Sequence, residues 1–307
     1  MYKRILVALD GSQLSEGILP YARFFAETLK VPVELLRVIG PEALTPLSDA
    51  QHARYDDVMT AERKTAEVYL KGVAASFPDP SAVDGTVEIG KPETIIGDRA
   101  EAHADTLIAM ATHGRSGVGR WLLGSVADKV LHATASHLLL VRTTEKSEGS
   151  EAAPFKAVVV SLDGSGLAEM VMPHVAELAK KVDLEVILLR VCALPIPVYT
   201  AQEYMPDLGE LWDQMKKEAK EYLEEKVRQL QQQGLRRVSS MAVEGEAAEK
   251  IISLARKKSP SLVAMCTHGR TGIDRWVLGS VTERVVRHLS EPVLVIRALT
   301  DSAPSAP

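Results

Sequence analysis

Cysteine and aromatic residues are scarce in this sequence, and long apolar runs are absent. The 307 residues include two cysteines, Cys192 and Cys266, and aromatic residues make up 5%. Two cysteines without a CxxC or Cys/His spacing exclude a disulfide framework and a cysteine-based zinc site. Because no apolar run is long enough to span a bilayer and no leader precedes the first apolar segment, we expect a cytoplasmic protein with no membrane partner.

An excess of basic charge is also absent. Residues 1–150 carry 16 basic and 20 acidic side chains, the remaining residues carry 20 and 21, and the net charge is −5. A protein drawn to nucleic-acid phosphates shows the opposite balance. We therefore expect no nucleic-acid partner.

The sequence contains a tandem duplication of one module. Residues 111–126 read ATHGRSGVGRWLLGSV and residues 266–281 read CTHGRTGIDRWVLGSV, with eleven of sixteen positions identical. An LDGS segment also occurs in each half, ending at Ser12 and at Ser165. We place the domains at residues 1–144 and 154–299, with a linker at 145–153 and a flexible tail at 300–307.

Each half alternates short apolar runs with amphipathic segments, which is typical of βαβ units. The predicted strands are Ile5–Leu9, Val33–Val38, Thr86–Ile89, Leu107–Ala111, Leu138–Val141, Ala157–Leu162, Glu185–Val191, Ser239–Val243, Leu262–Met265 and Val293–Ile296. The predicted helices are 13–30, 49–76, 92–103, 125–135, 166–182, 207–233, 247–258 and 280–290. Right-handed crossovers then predict an α/β fold of two tandem five-stranded parallel doubly wound sheets.

The glycine-rich loop after the fourth strand is the candidate site in each half. Ligands of such sheets bind beyond the carboxyl ends of the strands, where the winding reverses. Gly114 and Gly124 allow backbone N–H groups to approach an anion, and the helix that starts near Ser125 adds the positive end of its dipole. An alternative is that Ser125 with Asp128, and likewise Ser280 with Glu283, are only capping boxes that start a helix.

Other chemistries fit the sequence less well. It contains neither GxxxxGK[ST] nor a GxGxxG after the first strand, which disfavours a Walker loop and a Rossmann dinucleotide site. His113 and His268 lie inside the loops as possible bases, although histidines in such loops more often hydrogen-bond the loop backbone. We find no catalytic triad, paired carboxylates or metal cluster, and we expect no catalytic residue and no metal-binding residue.

The LDGS turns together with the two THGRxG…GS loops identify a resemblance. The chain resembles a tandem universal stress protein of the UspA type over both halves. ATP-binding members of that family show G-x2-G-x9-G-[ST], and the nine-residue spacing is intact from Gly114 to Gly124 and from Gly269 to Gly279. The first glycine of the motif is replaced by Ala111 and by Cys266.

The resemblance implies an adenine-nucleotide site in each half. The residues it assigns to the base, ribose and phosphates are Asp10, Val38, Ala111, Gly114, Gly124, Ser125 and Val126 in the first half, and Asp163, Val191, Cys266, Gly269, Gly279, Ser280 and Val281 in the second. Because Cys266 adds a thiol where the motif has glycine, we expect the second site to be weaker or empty.

The resemblance also implies a role in the stress response and an assembly. Leu138–Val141 and Val293–Ile296 are expected to pair within the chain as a pseudo-dimer, and a homodimer of chains is expected. The function indicated is regulatory binding of ATP, ADP or AMP, with Mg²⁺ held through the phosphates. A slow ATPase and a nucleotide-free interaction scaffold remain alternatives.

Overall fold

A computed structural model describes residues 2–40, 55–112, 123–143, 155–193, 208–267 and 278–297. Within these ranges the chain forms two compact units. The first contains the described residues up to 143 together with 292–297, and the second contains those from 155 to 291. The predicted linker and tail lie outside the described residues.

The strands agree closely with the apolar runs of the sequence. They are β1 Arg4–Leu9, β2 Val33–Ile39, β3 Val83–Ile89, β4 Thr106–Ala111, β5 His137–Val141, β6 Ala157–Ser161, β7 Glu185–Cys192, β8 Val238–Glu244, β9 Ser261–Cys266 and β10 Val293–Ile296. In the first unit the order is β3-β2-β1-β4-β5, with every one of these neighbours parallel. In the second unit β8, β7, β6 and β9 follow in the same parallel arrangement.

The helices cover the two faces of these sheets. They are α1 Gln13–Glu16, α2 Leu19–Leu29, α3 Tyr55–Ala74, α4 Pro92–Glu101, α5 Ser125–Ala133, α6 Gly166–Glu169, α7 Met172–Val182, α8 Leu208–Gln232, α9 Ala247–Lys257 and α10 Ser280–His288. No helix among the described residues is long and apolar enough to cross a membrane. All six residues of β4 and of β9 are buried, as expected for central strands covered on both sides.

The predicted first helix of each half is wrong in one respect, because it is broken in two. Residues 13–30 form α1 and α2, and residues 166–182 form α6 and α7. Pro20 lies in the first turn of α2 and Pro173 in the first turn of α7. Proline has no N–H and its ring clashes with the carbonyl four residues earlier, so a continuous helix cannot pass through either position.

The predicted pairing of the last strands is confirmed. β10 is part of the first unit, where it runs antiparallel to β5 with Val293 opposite Leu140. The Arg297 backbone N–H donates to His137 Nδ1 at 2.9 Å. A strand edge of β5 that would otherwise expose unpaired backbone groups is therefore covered by β10.

Candidate functional site

The first unit has a cavity at the carboxyl edge of its sheet. β1 lies between β2 and β4, so the chain leaves β1 toward one side and returns on the other, which makes this the switch point of the doubly wound sheet. The cavity there has a volume of ≈ 450 Å³. Its lining contains six residues that the sequence assigned to the site: Asp10, Val38, Ala111, Gly124, Ser125 and Val126.

Asp10 is held in a defined orientation at the end of β1. Its Oδ1 accepts hydrogen bonds from the Ser12 N–H at 2.9 Å and from Ser12 Oγ at 2.6 Å. Gly11 between them has a φ of +80°, a left-handed conformation that side chains rarely adopt. Ser12 in turn caps α1 through a bond from the Ser15 N–H. The turn therefore fixes a carboxylate at the rim of the cavity.

The N-terminus of α5 faces the cavity and has no side-chain cap. Gly124, and not Ser125, is the N-cap residue, and Ser125 is the first helical residue. The Gly124 N–H donates to the Thr112 carbonyl at 2.6 Å, which ties the helix start to the end of β4. The capping-box alternative is wrong, because the serine is one position too late to cap and no side-chain cap bond forms. The N-cap residue itself makes no side-chain bond to the first-turn N–H groups, and the positive end of the helix dipole at this point favours an anion.

The sequence reasoning missed Arg37, which also lines the cavity. Arg37 is 8% exposed, and its guanidinium lies 5.4 Å from the ring centroid of Tyr69. A Cβ added to Gly11 would lie 2.8 Å from Arg37 Nη1, so the glycine makes room for the guanidinium. Burial, followed by the charge of Glu16, raises the pKa of Tyr69, so the ring stays neutral. The sequence signal for this residue is an arginine near the carboxyl end of a buried strand, repeated in the second half as Arg190.

Other missed lining residues come from three helices. They are Ser15 from α1, Glu62 from α3, and Pro92 and Ile96 from α4. No motif marks them, because they reach the cavity only through the packing of these helices against the sheet.

The second unit repeats the framework of this site. Asp163 Oδ1 accepts from the Ser165 N–H at 2.9 Å, and Arg190 lies 5.1 Å from the ring centroid of Tyr222. Gly279 is the N-cap of α10, again without a side-chain cap bond. Ser280 is therefore also a first helical residue, and its capping-box alternative is wrong for the same reason. Val191 lies near the end of β7, Cys266 ends β9, and Val281 lies in the first turn of α10.

Some predicted site residues cannot be placed. Gly114, Gly269, His113 and His268 lie outside the described residues. Among the residues that the structure does describe, no group of three or more His, Cys, Asp or Glu side chains is arranged to hold a metal ion.

These features define a class of protein: a doubly wound α/β protein with a cavity at the switch point and an uncapped helix N-terminus beside it. The chain belongs to the universal stress protein family, whose model matches residues 1–142 and again 154–297. It is 24% identical to a universal stress protein from Mycolicibacterium smegmatis over 295 residues, which is 95% of this chain and 96% of that one.

Two further relatives support the duplication and the fold. Universal stress protein MJ0531 from Methanocaldococcus jannaschii is 33% identical over 144 residues, covering 47% of this chain and 82% of that protein. The crystal structure of a universal stress protein from Archaeoglobus fulgidus superposes with a TM-score of 0.68 at 22% identity, covering 97% of this chain and 99% of that one.

Proposed function

We propose that this universal stress protein is a regulatory protein that binds an adenine nucleotide, ATP, ADP or AMP, in the cavity of its first unit. The observation that carries the proposal is the convergence of Asp10, Val38 and the α5 N-terminus on one cavity. These residues are far apart in sequence, and the family resemblance assigns all of them to an adenine-nucleotide site; the glycine motif of ATP-binding members ends here at Gly124 and Ser125.

The residues present fit the parts of a nucleotide. The apolar wall formed by Leu36, Val38, Ile96 and Met110 suits a purine ring. Asp10 offers a carboxylate to ribose hydroxyls or to an amino group. The first-turn N–H groups of α5 and the Ser125 hydroxyl suit phosphate oxygens, because a helix N-terminus favours negative charge. Mg²⁺, if it accompanies the nucleotide, would be held through the phosphates.

Binding is favoured over turnover by the chemistry of the lining. The described lining residues include no histidine, cysteine or lysine that would serve as a base or nucleophile. The acidic side chains there are Asp10, whose Oδ1 already accepts two bonds, and the exposed Glu62. Phosphate release at saturating ATP and Mg²⁺ is therefore expected to stay at the buffer rate, and rapid release that Asp10→Asn abolishes would contradict this.

A charge placed at the helix start tests the site. Ser125 is exposed and is the first helical residue, so Ser125→Asp is compatible with α5 and its charge agrees with the helix dipole. The same carboxylate would repel phosphate. We expect Ser125→Asp to weaken ATP binding at least about tenfold, ~1.4 kcal/mol, measured by isothermal titration calorimetry.

Ser125→Asn is the matched control, because it has nearly the same shape without the charge. It is expected to retain affinity within a few fold, and adenosine binding should be affected similarly by both variants. Wild-type affinity for ATP in Ser125→Asp would place the nucleotide elsewhere. If the wild-type chain binds no adenine nucleotide and carries none through native purification, the scaffold alternative replaces this proposal.

A further inference from the structure

We propose that Thr282 and Cys266 close the second site, so that each chain takes one nucleotide, in its first unit. The inference rests on the proposed function and adds to it the number and location of the bound nucleotides. It concerns two of the lining positions at which the duplicated halves differ, the two that lie at the end of the fourth strand and in the first turn of the helix after it.

The two positions line the cavity of the first unit. Ala111 ends β4 and Ala127 lies in the first turn of α5, and both contribute to the cavity wall. Their counterparts 155 residues later are Cys266 and Thr282. Relative to alanine, cysteine adds a sulfur, and threonine adds a hydroxyl and a methyl group.

The Thr282 side chain lies between the helix and the strand. Its Oγ1 donates to the Cys266 carbonyl at 2.9 Å, and Thr282 is 3% exposed. The same Oγ1 lies 3.9 Å from the position that a Cβ on Gly279 would occupy. The hydroxyl of Thr282 thus lies between the start of α10 and the end of β9, whereas the equivalent residue of the first unit, Ala127, carries only a methyl group and lines the cavity.

The backbone at the helix start is alike in the two units. The Gly279 N–H donates to the Thr267 carbonyl at 2.7 Å, as the Gly124 N–H does to the Thr112 carbonyl at 2.6 Å. The two N-cap glycines also have similar conformations, with φ and ψ of −62° and 138° for Gly279 and −58° and 143° for Gly124. The inference therefore rests on the side chains at these positions and not on the backbone.

The hydrogen bond also holds Thr282 in place. Turning the side chain away would leave a buried hydroxyl without its acceptor and a buried carbonyl without this donor. Leaving buried polar groups unsatisfied is costly. A nucleotide approaching α10 would consequently have to displace a fixed side chain, whereas at α5 it meets a methyl group.

Calorimetric stoichiometry with ATP on the full chain tests the inference. The wild-type chain is expected to bind one nucleotide, and Cys266→Ala with Thr282→Ala is expected to bind two. The reciprocal change, Ala111→Cys with Ala127→Thr, is expected to lower the affinity of the first site for ATP at least about tenfold, ~1.4 kcal/mol.

Val285→Ala is the control for general loosening of α10. Val285 is fully buried in the same helix, and removing its methyl groups opens space in the core. It should stay at one nucleotide per chain. Far-UV circular dichroism and urea unfolding confirm that each variant is folded before its stoichiometry is read.

The outcomes separate this inference from the proposed function. A wild-type chain that binds no nucleotide contradicts the proposed function itself. Two nucleotides per wild-type chain, or wild-type affinity of the first site after the reciprocal change, overturns the inference and leaves nucleotide binding intact. An unchanged count of one in the Cys266→Ala, Thr282→Ala chain also overturns it.

Discussion

Arg4, Glu34 and Arg99 form an ion cluster between the sheet and α4. The second half of the chain has different residues at the equivalent positions, and this comparison leads to a prediction about stability. The Glu34 carboxylate accepts hydrogen bonds from the guanidinium groups of both Arg4 and Arg99. Arg4 Nε also donates to Thr106 Oγ1 at 3.0 Å, and Arg99 Nη1 donates to Glu88 at 3.1 Å. Burial lowers the pKa of Arg4, and the charge of Glu34 partly offsets this.

The second half replaces this cluster with apolar residues. The positions equivalent to Arg4, Glu34 and Arg99 hold Ala157, Ile187 and Leu254. Both arrangements support the same strand order and the same helix packing. Well-packed apolar residues often replace buried ion clusters without loss, while removal of one partner leaves a buried charge uncompensated.

Glu34→Ile is therefore expected to destabilise the first unit strongly. The side chains of Glu34 and Arg4 are 11% and 14% exposed, so removal of the carboxylate leaves the Arg4 cation poorly hydrated. The Arg99 side chain is 34% exposed, which lets solvent screen part of the repulsion. We expect a loss of about 3 kcal/mol, the lower end of the range for breaking a buried pair.

The triple variant Arg4→Ala, Glu34→Ile, Arg99→Leu is the matched comparison. It is expected to recover most of that loss, to within about 1 kcal/mol of the wild type. Urea unfolding followed by circular dichroism measures both, fitted with separate transitions because the chain has two compact units. A wild-type unfolding free energy for Glu34→Ile, or a triple variant no more stable than the single one, refutes the reasoning.

Two further predictions concern a glycine and a surface ion pair. Gly279→Ala would place its Cβ 2.7 Å from the Thr267 carbonyl oxygen, and we expect a loss of ~1–3 kcal/mol in urea unfolding. Gly166→Ala, which meets nothing within 4 Å, should change little, and equal losses would contradict the steric argument. The hydrogen bond from Lys129 lowers the pKa of Glu93, so this pair stabilises the fold above the ordinary glutamate pKa and the contribution is lost as pH falls through the lowered value. Lys129→Met should raise the Glu93 pKa in an NMR titration, and an unchanged value would contradict the assignment.

How much of the site could be predicted depended on where its residues lie in the chain. Asp10 follows a strand directly and Gly124 begins a helix, so local pattern and the family motif located both. Glu62 and Ile96 lie on helices whose faces are set by packing, and no local pattern marks them as lining residues. The sequence does not decide whether Ser125 caps α5 or is its first helical residue, because the two roles differ by a shift of one residue in the start of the helix.

The break between α1 and α2, and the equivalent break between α6 and α7, could have been predicted from the sequence. Pro20 and Pro173 occupy the same repeat position, and the missing N–H of proline predicts a break in each helix without any structure. Helical periodicity of the apolar residues outweighed that signal in the sequence reasoning, because α1 and α2 keep their apolar sides toward the same sheet.

The sequence by itself determined the duplication, the order of strands and helices, and the edge of the sheet at which a ligand would bind. It could do so because strand burial, helix periodicity and parallel crossovers are set by short-range patterns and a fixed handedness. Only the tertiary structure decided that Arg37 lies against Gly11 and Tyr69, that Glu62 and Ile96 line the cavity, and that the Thr282 hydroxyl donates to the Cys266 carbonyl. Those contacts join residues distant in sequence, and their distances depend on how whole elements pack.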